Sequence, residues 1–367
     1  MDNDAFGFIG FGLIGGSIAA AIHQNDPNAC IIAYDHHTTT TNQNLTHAKE
    51  DGVITTITHS LSELRTCKTI FLCAPVDQNI RYLTLLKPYL MKDTILTDVG
   101  SVKGEIHSAV NELHMNENFI GGHPMAGSEK TGYDHSSPQL LENAYYILTP
   151  TNEVAPEKVT YLYQLVQRIS AIPILLDANE HDDITAAISH VPHLVAASLV
   201  NLLRDNDDEG ENMKMLAAGG FKDITRIASS SPSLWESICI SNKESIQKFL
   251  RKYIQSLETL YTSLKEGRGD VIYDAFDTAN QYRSSIPNHH GLMPAVYDIY
   301  LDIKDETGAI ATIAVLLASH NISIKNIGII HNREFQQGVL RIETYKEEDR
   351  SNALALLNTN NYTVYER

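Results

Sequence analysis

The sequence is poor in cysteine, and its few cysteines form no pattern that would bind a metal or cross-link the chain. The 367 residues include four of them, Cys30, Cys67, Cys73 and Cys239, and no two are spaced as a C-x-x-C pair. Scattered cysteines are typical of small buried side chains in a reducing compartment. The pattern therefore argues against a disulfide-stabilised secreted domain and against a structural zinc site.

Positive charge and long hydrophobic runs are also scarce. Lys and Arg number 28 against 45 Asp and Glu, which gives a formal net charge of −17. An acidic field repels nucleic acid and anionic membranes, so we expect neither as a partner. No apolar run approaches the ~18 residues of a membrane span, and the acidic residues 1–4 are unlike a secretory leader. We therefore expect a cytoplasmic protein.

The first half of the chain alternates short apolar runs with helical patterns. The predicted strands are residues 5–9, 30–34, 69–73, 94–98, 145–148 and 172–176. Regular alternation of strand and helix predicts a mostly parallel sheet that is covered by helices on both faces. We therefore predict an α/β, Rossmann-type doubly wound domain over residues 1–177.

The pattern changes after residue 177. Residues 178–285 form a series of amphipathic helical patterns, the longest over about 243–265, and predict an all-helical domain. A break rich in Pro, Gly and His at 284–294 predicts a linker. Residues 296–367 follow the order βαββαβ, which predicts a ferredoxin-like domain. Because the first predicted strand begins at Ala5, we expect no further domain before residue 1.

A glycine-rich loop opens the chain. Residues 10–17 are GFGLIGGS, a G-x-G-x-x-G motif between a predicted strand and a predicted helix. Such a loop lets the backbone approach a pyrophosphate, which then lies at the N-terminus of the helix. The predicted cofactor contacts in this loop are Gly10, Gly12, Leu13, Ile14 and Gly15.

Asp35 indicates which dinucleotide is bound. It ends the second predicted strand, about 20 residues after the glycine motif, where a carboxylate can accept hydrogen bonds from ribose hydroxyls. The same charge repels a 2′-phosphate, and the residues that follow, His36 and His37, supply no arginine to offset it. The pattern predicts NAD rather than NADP, with a turn-capping role for Asp35 as the alternative.

Two polar segments follow later strands, at the edge where doubly wound sheets bind ligands. Ser101 lies in DVGSVK, directly after the predicted strand 94–98, and could also cap the next helix. His123 lies in GGHPMAGSE, after a short predicted strand. A neutral imidazole is a natural acceptor for the proton of a hydroxyl that is being oxidised. We therefore predict that His123 takes part in catalysis.

The helical region contains clustered histidines. His181 and His193 lie on one predicted helix, or on a pair of helices broken at Pro192. Clustered histidines can indicate zinc, but here no cysteine or ordered ligand spacing accompanies them. We therefore do not predict a metal.

Two cations stand out in the segment GGFKDITRIA. Lys222 and Arg226 are four residues apart, which would place both on one face of a helix. Arginine binds carboxylates through two parallel hydrogen bonds. In so acidic a chain this pair favours an anion site, with a surface ion pair to Asp223 as the alternative.

Together, the motifs GFGLIGGS, DVGSVK, GGHPMAGSE, HD…SHVPH and GGFKDITRIA closely resemble the prephenate dehydrogenase family in order and spacing. The resemblance covers nearly all of the first 285 residues. It implies an NAD-dependent enzyme that converts prephenate to 4-hydroxyphenylpyruvate by oxidative decarboxylation. It also implies a homodimer that is held together through the helical domain.

The resemblance assigns roles to individual residues. His123 would accept a hydrogen bond from the ring hydroxyl of prephenate, and Ser101 would help to orient that hydroxyl. Arg226 would bind a substrate carboxylate, with His193 in the pocket and Glu129 at its entrance. The other residues implied to line the site, partly from the second subunit, are Lys222, Asp223 and Trp235.

Residues 305–310 and 321–324 resemble an ACT domain, a regulatory module that binds amino acids. This resemblance implies that tyrosine is a feedback inhibitor. Three alternatives stay open: arogenate as the substrate, a β-hydroxyacid dehydrogenase of the 6-phosphogluconate type, and a non-catalytic amino-acid sensor. The second relies on a lysine in its helical domain, and an intact Ser101, His123 and Arg226 argue against the third.

Overall fold

Apolar runs in the first half of the chain form a parallel sheet. The computed structural model describes residues 4–36, 42–127, 130–286, 297–303, 306–331 and 338–365. The first five strands are β1 (Ala5–Ile9), β2 (Cys30–Tyr34), β3 (Thr56–Thr58), β4 (Thr69–Leu72) and β5 (Ile95–Asp98). They pair in parallel in the order β3-β2-β1-β4-β5. The sequence analysis missed β3 because it is a three-residue, largely polar strand at the edge.

Three further strands follow β5. They are β6 (Ile120–Pro124), β7 (Tyr145–Pro150) and β8 (Ile172–Leu175). A parallel bridge between Leu96 and Phe119 joins β5 to the start of β6. β6 and β7 are antiparallel, whereas β7 and β8 are parallel. The prediction of a mostly parallel sheet is therefore confirmed, with one antiparallel pair.

Helices cover both faces of this sheet. They are α1 (Leu13–Asn25), α2 (Gln43–Glu50), α3 (Val76–Leu86), α4 (Gly104–Glu112) and α5 (Pro156–Arg168). Successive side chains of a strand point to opposite faces, so Phe8 and Ile9 of β1 lie in different cores. Phe8 shares a core with Ile18 of α1 and Leu162 of α5. Ile9 shares the other with Leu83 of α3.

Residues 178–285 are helical, as predicted. The helices are α6 (Ala178–Thr185), α7 (Val191–Asn206), α8 (Asn212–Leu216), α9 (Gly219–Thr225), α10 (Pro232–Ser241), α11 (Lys243–Glu266) and α12 (Gly269–Ser285). A π turn at Ala186–His190 makes α6 and α7 one continuous helix. Of the two predicted alternatives, one continuous helix is therefore confirmed, and the helix does not break at Pro192. In the π turn, Val191 N–H donates to Ala186 O, five residues earlier. This wider turn lies directly before Pro192 and leaves room for the proline ring within the helix.

The joined helix Ala178–Asn206 is long and apolar enough to cross a membrane, with a mean hydropathy of 1.5 over 18 residues. The sequence contains no uninterrupted apolar run of this length, because polar residues are scattered through the helix without lowering its mean hydropathy much. One such helix is weak evidence for a membrane span. The core helix of a soluble protein can have the same length and composition, and this one contains buried His181 and Asp182.

Many large apolar side chains of the helical region are exposed. Its buried apolar cluster is formed by Ala186, Val191 and Ile246. Exposed apolar side chains lie along α7 and α10–α12, at Leu202, Leu234, Ile240, Leu257, Tyr261, Leu264, Tyr273 and Phe276. A concentration of exposed apolar side chains is typical of a surface that binds another protein.

The chain divides into two compact units, Met1–Ser285 and Ile286–Arg367. The elements of the second are β9 (Tyr297–Ile303), α13 (Ala309–Ser319), β10 (Ile324–His331), β11 (Gly338–Thr344), α14 (Glu347–Thr359) and β12 (Val364–Tyr365). The strands pair antiparallel in the order β10-β11-β9-β12. Side chains from the sheet and both helices form its core. Most of the predicted linker, 284–294, lies outside the described residues.

Candidate active site

The glycine-rich loop connects β1 to α1 in a conformation that requires glycine. Gly10 has a φ of +87°, and a Cβ there would lie 2.6 Å from the backbone nitrogen of Ala74. A Cβ on Gly15 would lie 2.8 Å from Gly10 O. Both contacts are too short for any other residue without movement of the backbone. The loop therefore holds the end of β1 close to the start of α1.

Gly12 differs from these two glycines because the space beside it is open. No protein atom lies within 4 Å of the position that a Cβ would take. The adjacent N–H groups of Leu13 and Ile14, in the first turn of α1, have no bonding partner within the helix. The open space and these N–H groups fit the pyrophosphate of a dinucleotide. Asp35 follows the neighbouring strand β2, where its backbone N–H donates to Thr58 O.

A buried ion pair joins the end of β5 to β6. Lys103 and Asp98 have fully buried side chains, and the ammonium group donates to the carboxylate and to Gly122 O at 2.7 Å. Asp98 Oδ1 also accepts from Gly122 N–H at 3.1 Å. The loop between these two residues, which contains Ser101, is thereby fixed against β6.

His123 lies within β6, opposite Ile147, and not after a strand as predicted. Pairing with β7 extends the strand through the histidine. The side chain is half-buried, and its Nδ1 lies 2.8 Å from His181 Nε2. Burial is the main cause that holds the pKa of His123 well below its usual value, and three neighbouring side chains lower it further: His181, Lys103 and His190. The imidazole is therefore neutral at pH 7.

Asp182 connects His181 to the start of α4. Its Oδ1 accepts from His181 Nδ1–H at 2.7 Å and from the backbone N–H of Lys103 at 2.8 Å. Its Oδ2 accepts from the N–H of Gly104 at 2.8 Å. Neither His181 nor Asp182 was among the site residues predicted from the sequence. The signal for them was the adjacent His-Asp pair, although it gave no indication of which residues they contact.

His190 is a further site residue that the sequence analysis did not assign. Asn242 Nδ2 donates to Asp182 O at 2.8 Å and lies 3.1 Å from His190 Nδ1. This amide nitrogen can only donate, so His190 Nδ1 accepts, and the neutral ring has its proton on Nε2. Burial is the main reason that the pKa of His190 falls to about 4. The His190 ring also contacts Trp235 edge-to-face, with 6.0 Å between centroids.

Three of the predicted substrate residues lie together. The rings of His193 and Trp235 are stacked, with centroids 3.7 Å apart and planes at 22°. His193 Nδ1–H donates to Ser189 O at 2.8 Å. Burial lowers the pKa of His193, and the charge of nearby Arg226 lowers it further. Trp235 thus contacts the rings of both His193 and His190, and Arg226 lies near His193.

The predicted pairing of Lys222 and Arg226 on one helix face is wrong. α9 ends at Thr225, whose hydroxyl donates to Phe221 O, and Arg226 begins a tighter 3₁₀ turn. Lys222 and Arg226 therefore do not lie on one regular α-helix. Lys222 and Asp223 are exposed on α9, and among the described contacts none joins them to the histidines.

The histidines of this cluster bond to protein groups. Within the described ranges, no group of three or more His, Cys, Asp or Glu side chains could hold an ion. His123 and His181 bond to each other, and His190 bonds to Asn242. Glu129, predicted at the pocket entrance, lies outside the described residues.

Comparison with known families agrees with this arrangement. Residues 18–175 match the model of the prephenate dehydrogenase nucleotide-binding domain, and residues 177–278 match that of the prephenate dehydrogenase dimerization domain. The chain belongs to the prephenate dehydrogenase family. It is 38% identical to the prephenate dehydrogenase of Bacillus subtilis, over 94% of this chain and 93% of that protein.

Solved structures of similar proteins cover the first unit. Arogenate dehydrogenase from Synechocystis is 30% identical, with a TM-score of 0.69, over 77% of this chain and 100% of that one. Prephenate dehydrogenase from A. aeolicus, solved with hydroxyphenyl propionate and NAD+, is 27% identical, with a TM-score of 0.72, over 78% of this chain and 99% of that one. As a member of this family, the chain is an NAD-dependent oxidoreductase.

The buried ion pair gives a first prediction. Lys103→Met removes the cation and leaves Asp98 charged in a buried position. Breaking a buried pair in this way costs about 3–5 kcal/mol, so the free energy of unfolding of this family member should fall by that amount. Urea denaturation followed by circular dichroism measures the change.

The matched control is Lys214→Met. Lys214 pairs with Glu211 on the surface, where both side chains are more than half exposed, so its loss should leave the free energy of unfolding nearly unchanged. Equal destabilisation by both substitutions would contradict the structural role of the buried pair.

Proposed function

We propose that the chain catalyses the NAD-dependent oxidative decarboxylation of prephenate to 4-hydroxyphenylpyruvate. The observation that carries the proposal is a neutral, half-buried imidazole, His123, at the carboxyl end of β6, where a doubly wound sheet binds its ligands. Ser101 lies at the end of the neighbouring strand β5. These are the groups that oxidation of a hydroxyl requires.

The residues of the chain supply orientation and a place for the proton. NAD held by the glycine-rich loop would supply the acceptor for the hydride of the hydroxyl-bearing carbon of prephenate. His123 Nε2 takes the hydroxyl proton while the hydride leaves, and Ser101 orients the hydroxyl. Carbon dioxide then departs from the opposite ring carbon, and the electrons of the broken bond complete an aromatic ring. His123 returns the proton to the ring oxygen, so no net proton is consumed.

The helical region supplies the contacts to the substrate. Arg226 forms two parallel hydrogen bonds to a carboxylate of prephenate, and His193 contacts its side chain. The stacked ring of Trp235 supports this orientation of His193. Glu129, Lys222 and Asp223 remain proposed pocket residues, in part through a second subunit.

The protein acts as a cytoplasmic homodimer. The exposed apolar side chains of α7 and α10–α12 lie in the part of the chain that matches a dimerization domain. Burial of those side chains against a second copy would remove them from water and stabilise the dimer. The same contact would cover the apolar helix Ala178–Asn206.

The direct test measures NADH formation from prephenate with purified protein, with NAD and with NADP compared. We expect turnover with prephenate and NAD, and a marked loss with NADP because the Asp35 carboxylate repels the 2′-phosphate. Absence of turnover with either cofactor, in protein that binds NADH, would refute the proposed reaction.

Replacement of the proposed base gives a second prediction. His123→Asn should lower kcat by about 10²–10⁴-fold, the usual contribution of positioned proton transfer, while the affinity for NADH, measured by fluorescence titration, is unchanged. The control is His135→Asn, because this histidine is exposed in the loop after β6. Comparable kcat values for the two variants would show that His123 is not the base.

Arogenate is a second candidate substrate, and one observation favours it. His193 donates from Nδ1 to Ser189 O, so the neutral ring offers a lone pair at Nε2. A lone pair can accept from the amino group of arogenate, whereas the keto group of prephenate has no proton to donate. The NADH assay is therefore run with both substrates, and the ratio of kcat/KM values decides between them.

The second unit is a regulatory ACT domain of ferredoxin-like fold that binds tyrosine. The proposal is supported by the element order βαββαβ and by the strand order β10-β11-β9-β12. Family members that align with only 77–78% of this chain over nearly their whole length indicate that the first unit contains the catalytic parts. Regulation would then require the additional residues.

Truncation tests this regulatory role. A chain that ends at Ser285 should retain NADH formation from prephenate and lose inhibition by tyrosine. The full chain, assayed at the same enzyme concentration, is the control. If tyrosine inhibits both chains equally, it binds in the first unit and the proposal for the second unit is wrong.

A further inference from the structure

Three side chains form a continuous hydrogen-bonded series that ends at the proposed base. Asp182 Oδ1 lies 2.7 Å from His181 Nδ1, and His181 Nε2 lies 2.8 Å from His123 Nδ1. The two imidazole planes meet at 70° with centroids 5.0 Å apart, so the rings bond at their edges and do not stack. His181 is fully buried, and Asp182 is nearly so. Water is therefore a poor competitor for these bonds.

The position of each proton follows from Asp182. Its carboxylate already accepts the backbone N–H groups of Lys103 and Gly104, and it lies at the N-terminus of α4, where negative charge is favoured. A carboxylate can only accept, so His181 must carry its proton on Nδ1. Neutral His181 then has a lone pair on Nε2, which can only accept from His123.

His123 must consequently carry its proton on Nδ1. The lone pair of the neutral ring is then on Nε2, the nitrogen that does not face His181. The other tautomer of His123 would direct two lone pairs at each other across 2.8 Å and would leave Nε2 unable to accept a proton. Only one of the two neutral forms is therefore compatible with both the buried contact and the proposed reaction.

We propose that Asp182 and His181 are positioning residues, which hold His123 in the tautomer whose Nε2 can accept the hydroxyl proton. The inference rests on the proposed function in so far as His123 is the base. The series also stabilises the imidazolium that forms transiently on His123, because its Nδ1 proton is already shared with His181 and, through it, with a carboxylate.

Neighbouring contacts hold the series in place. Asn242 donates to the backbone oxygen of Asp182, and the hydroxyl of Thr185 donates to the backbone oxygen of His181 at 3.0 Å. A buried polar network of this kind could also serve stability alone. The positioning role differs from a purely structural one because it makes both the tautomer of His123 and kcat depend on the acceptor nitrogen of His181.

Nuclear magnetic resonance of the full chain, with ¹⁵N-labelled histidine and at neutral pH, determines which ring nitrogen of His123 carries the proton. The signals of His123 are assigned by their loss in His123→Asn. We expect the proton on Nδ1 in the wild-type protein. A proton on Nε2 would overturn the proposal whether or not the protein turns over prephenate, so this result is separate from failure of the proposed function.

Two substitutions of His181 test the effect on catalysis. His181→Phe keeps a ring but removes the acceptor, and it should give a mixture of His123 tautomers and lower kcat by roughly 10²–10⁴-fold, with KM for prephenate little changed. His181→Gln places an amide oxygen near the original Nε2 and should restore the tautomer and much of kcat. An unchanged kcat in His181→Phe would overturn the proposal.

A His107→Phe variant serves as the control, because it shows whether replacing any partly buried histidine here disturbs the fold. His107 is also partly buried near Lys103, but it bonds to Thr149 Oγ1 at 2.9 Å and lies outside the series. Its replacement should leave the tautomer of His123 unchanged. If His107→Phe shifted the tautomer as His181→Phe does, a general loosening of the core would be the cause, and the positioning role would be refuted.

Discussion

A carboxylate that is removed from water must have its hydrogen bonds supplied by the protein. In the first unit, the hydrogen bonds of the buried Asp182 carboxylate join elements that are distant in sequence. Its partners come from two separate parts of the chain, the start of α4 and His181 on α6. The helical region can therefore meet the nucleotide-binding sheet in only one orientation. The position of His123 follows from that orientation, since its ring bonds to the same series.

The proposed chemistry benefits because the pKa values of His123, His190 and His193 are all lowered. Burial is the first cause of the lowered pKa at His123, His190 and His193, and each neighbouring histidine or cation adds to it. A neutral imidazole can accept a proton without first losing one. Arg226 adds positive charge beside His193 in a protein whose formal net charge is −17.

Local patterns predicted most of the fold. Glycine spacing indicated the loop at Gly10, and apolar runs indicated the strands, because both depend on residues that are near in sequence. An error arose where a distant contact decides the outcome, because pairing with β7 extends β6 through His123. A π turn settles the open alternative at Pro192 in favour of one continuous helix. The sequence likewise predicts roles for His123 and Arg226, whereas the bond from His123 to His181 spans 58 residues and has no local signature.

Because of the π turn at Ala186–His190, the side chains before and after it point in different directions from one continuous helix. An α-helix advances about 100° per residue, so the wider turn changes the angular phase of everything that follows it. The residues before it are aimed at α4 and β6, whereas His193 after it is aimed at Trp235. Deletion of a single residue in the π turn would convert the segment into a regular α-helix. His193 and the residues before the turn could then no longer keep their contacts at the same time. The number of residues in the π turn is therefore constrained by these contacts as strongly as their identities are.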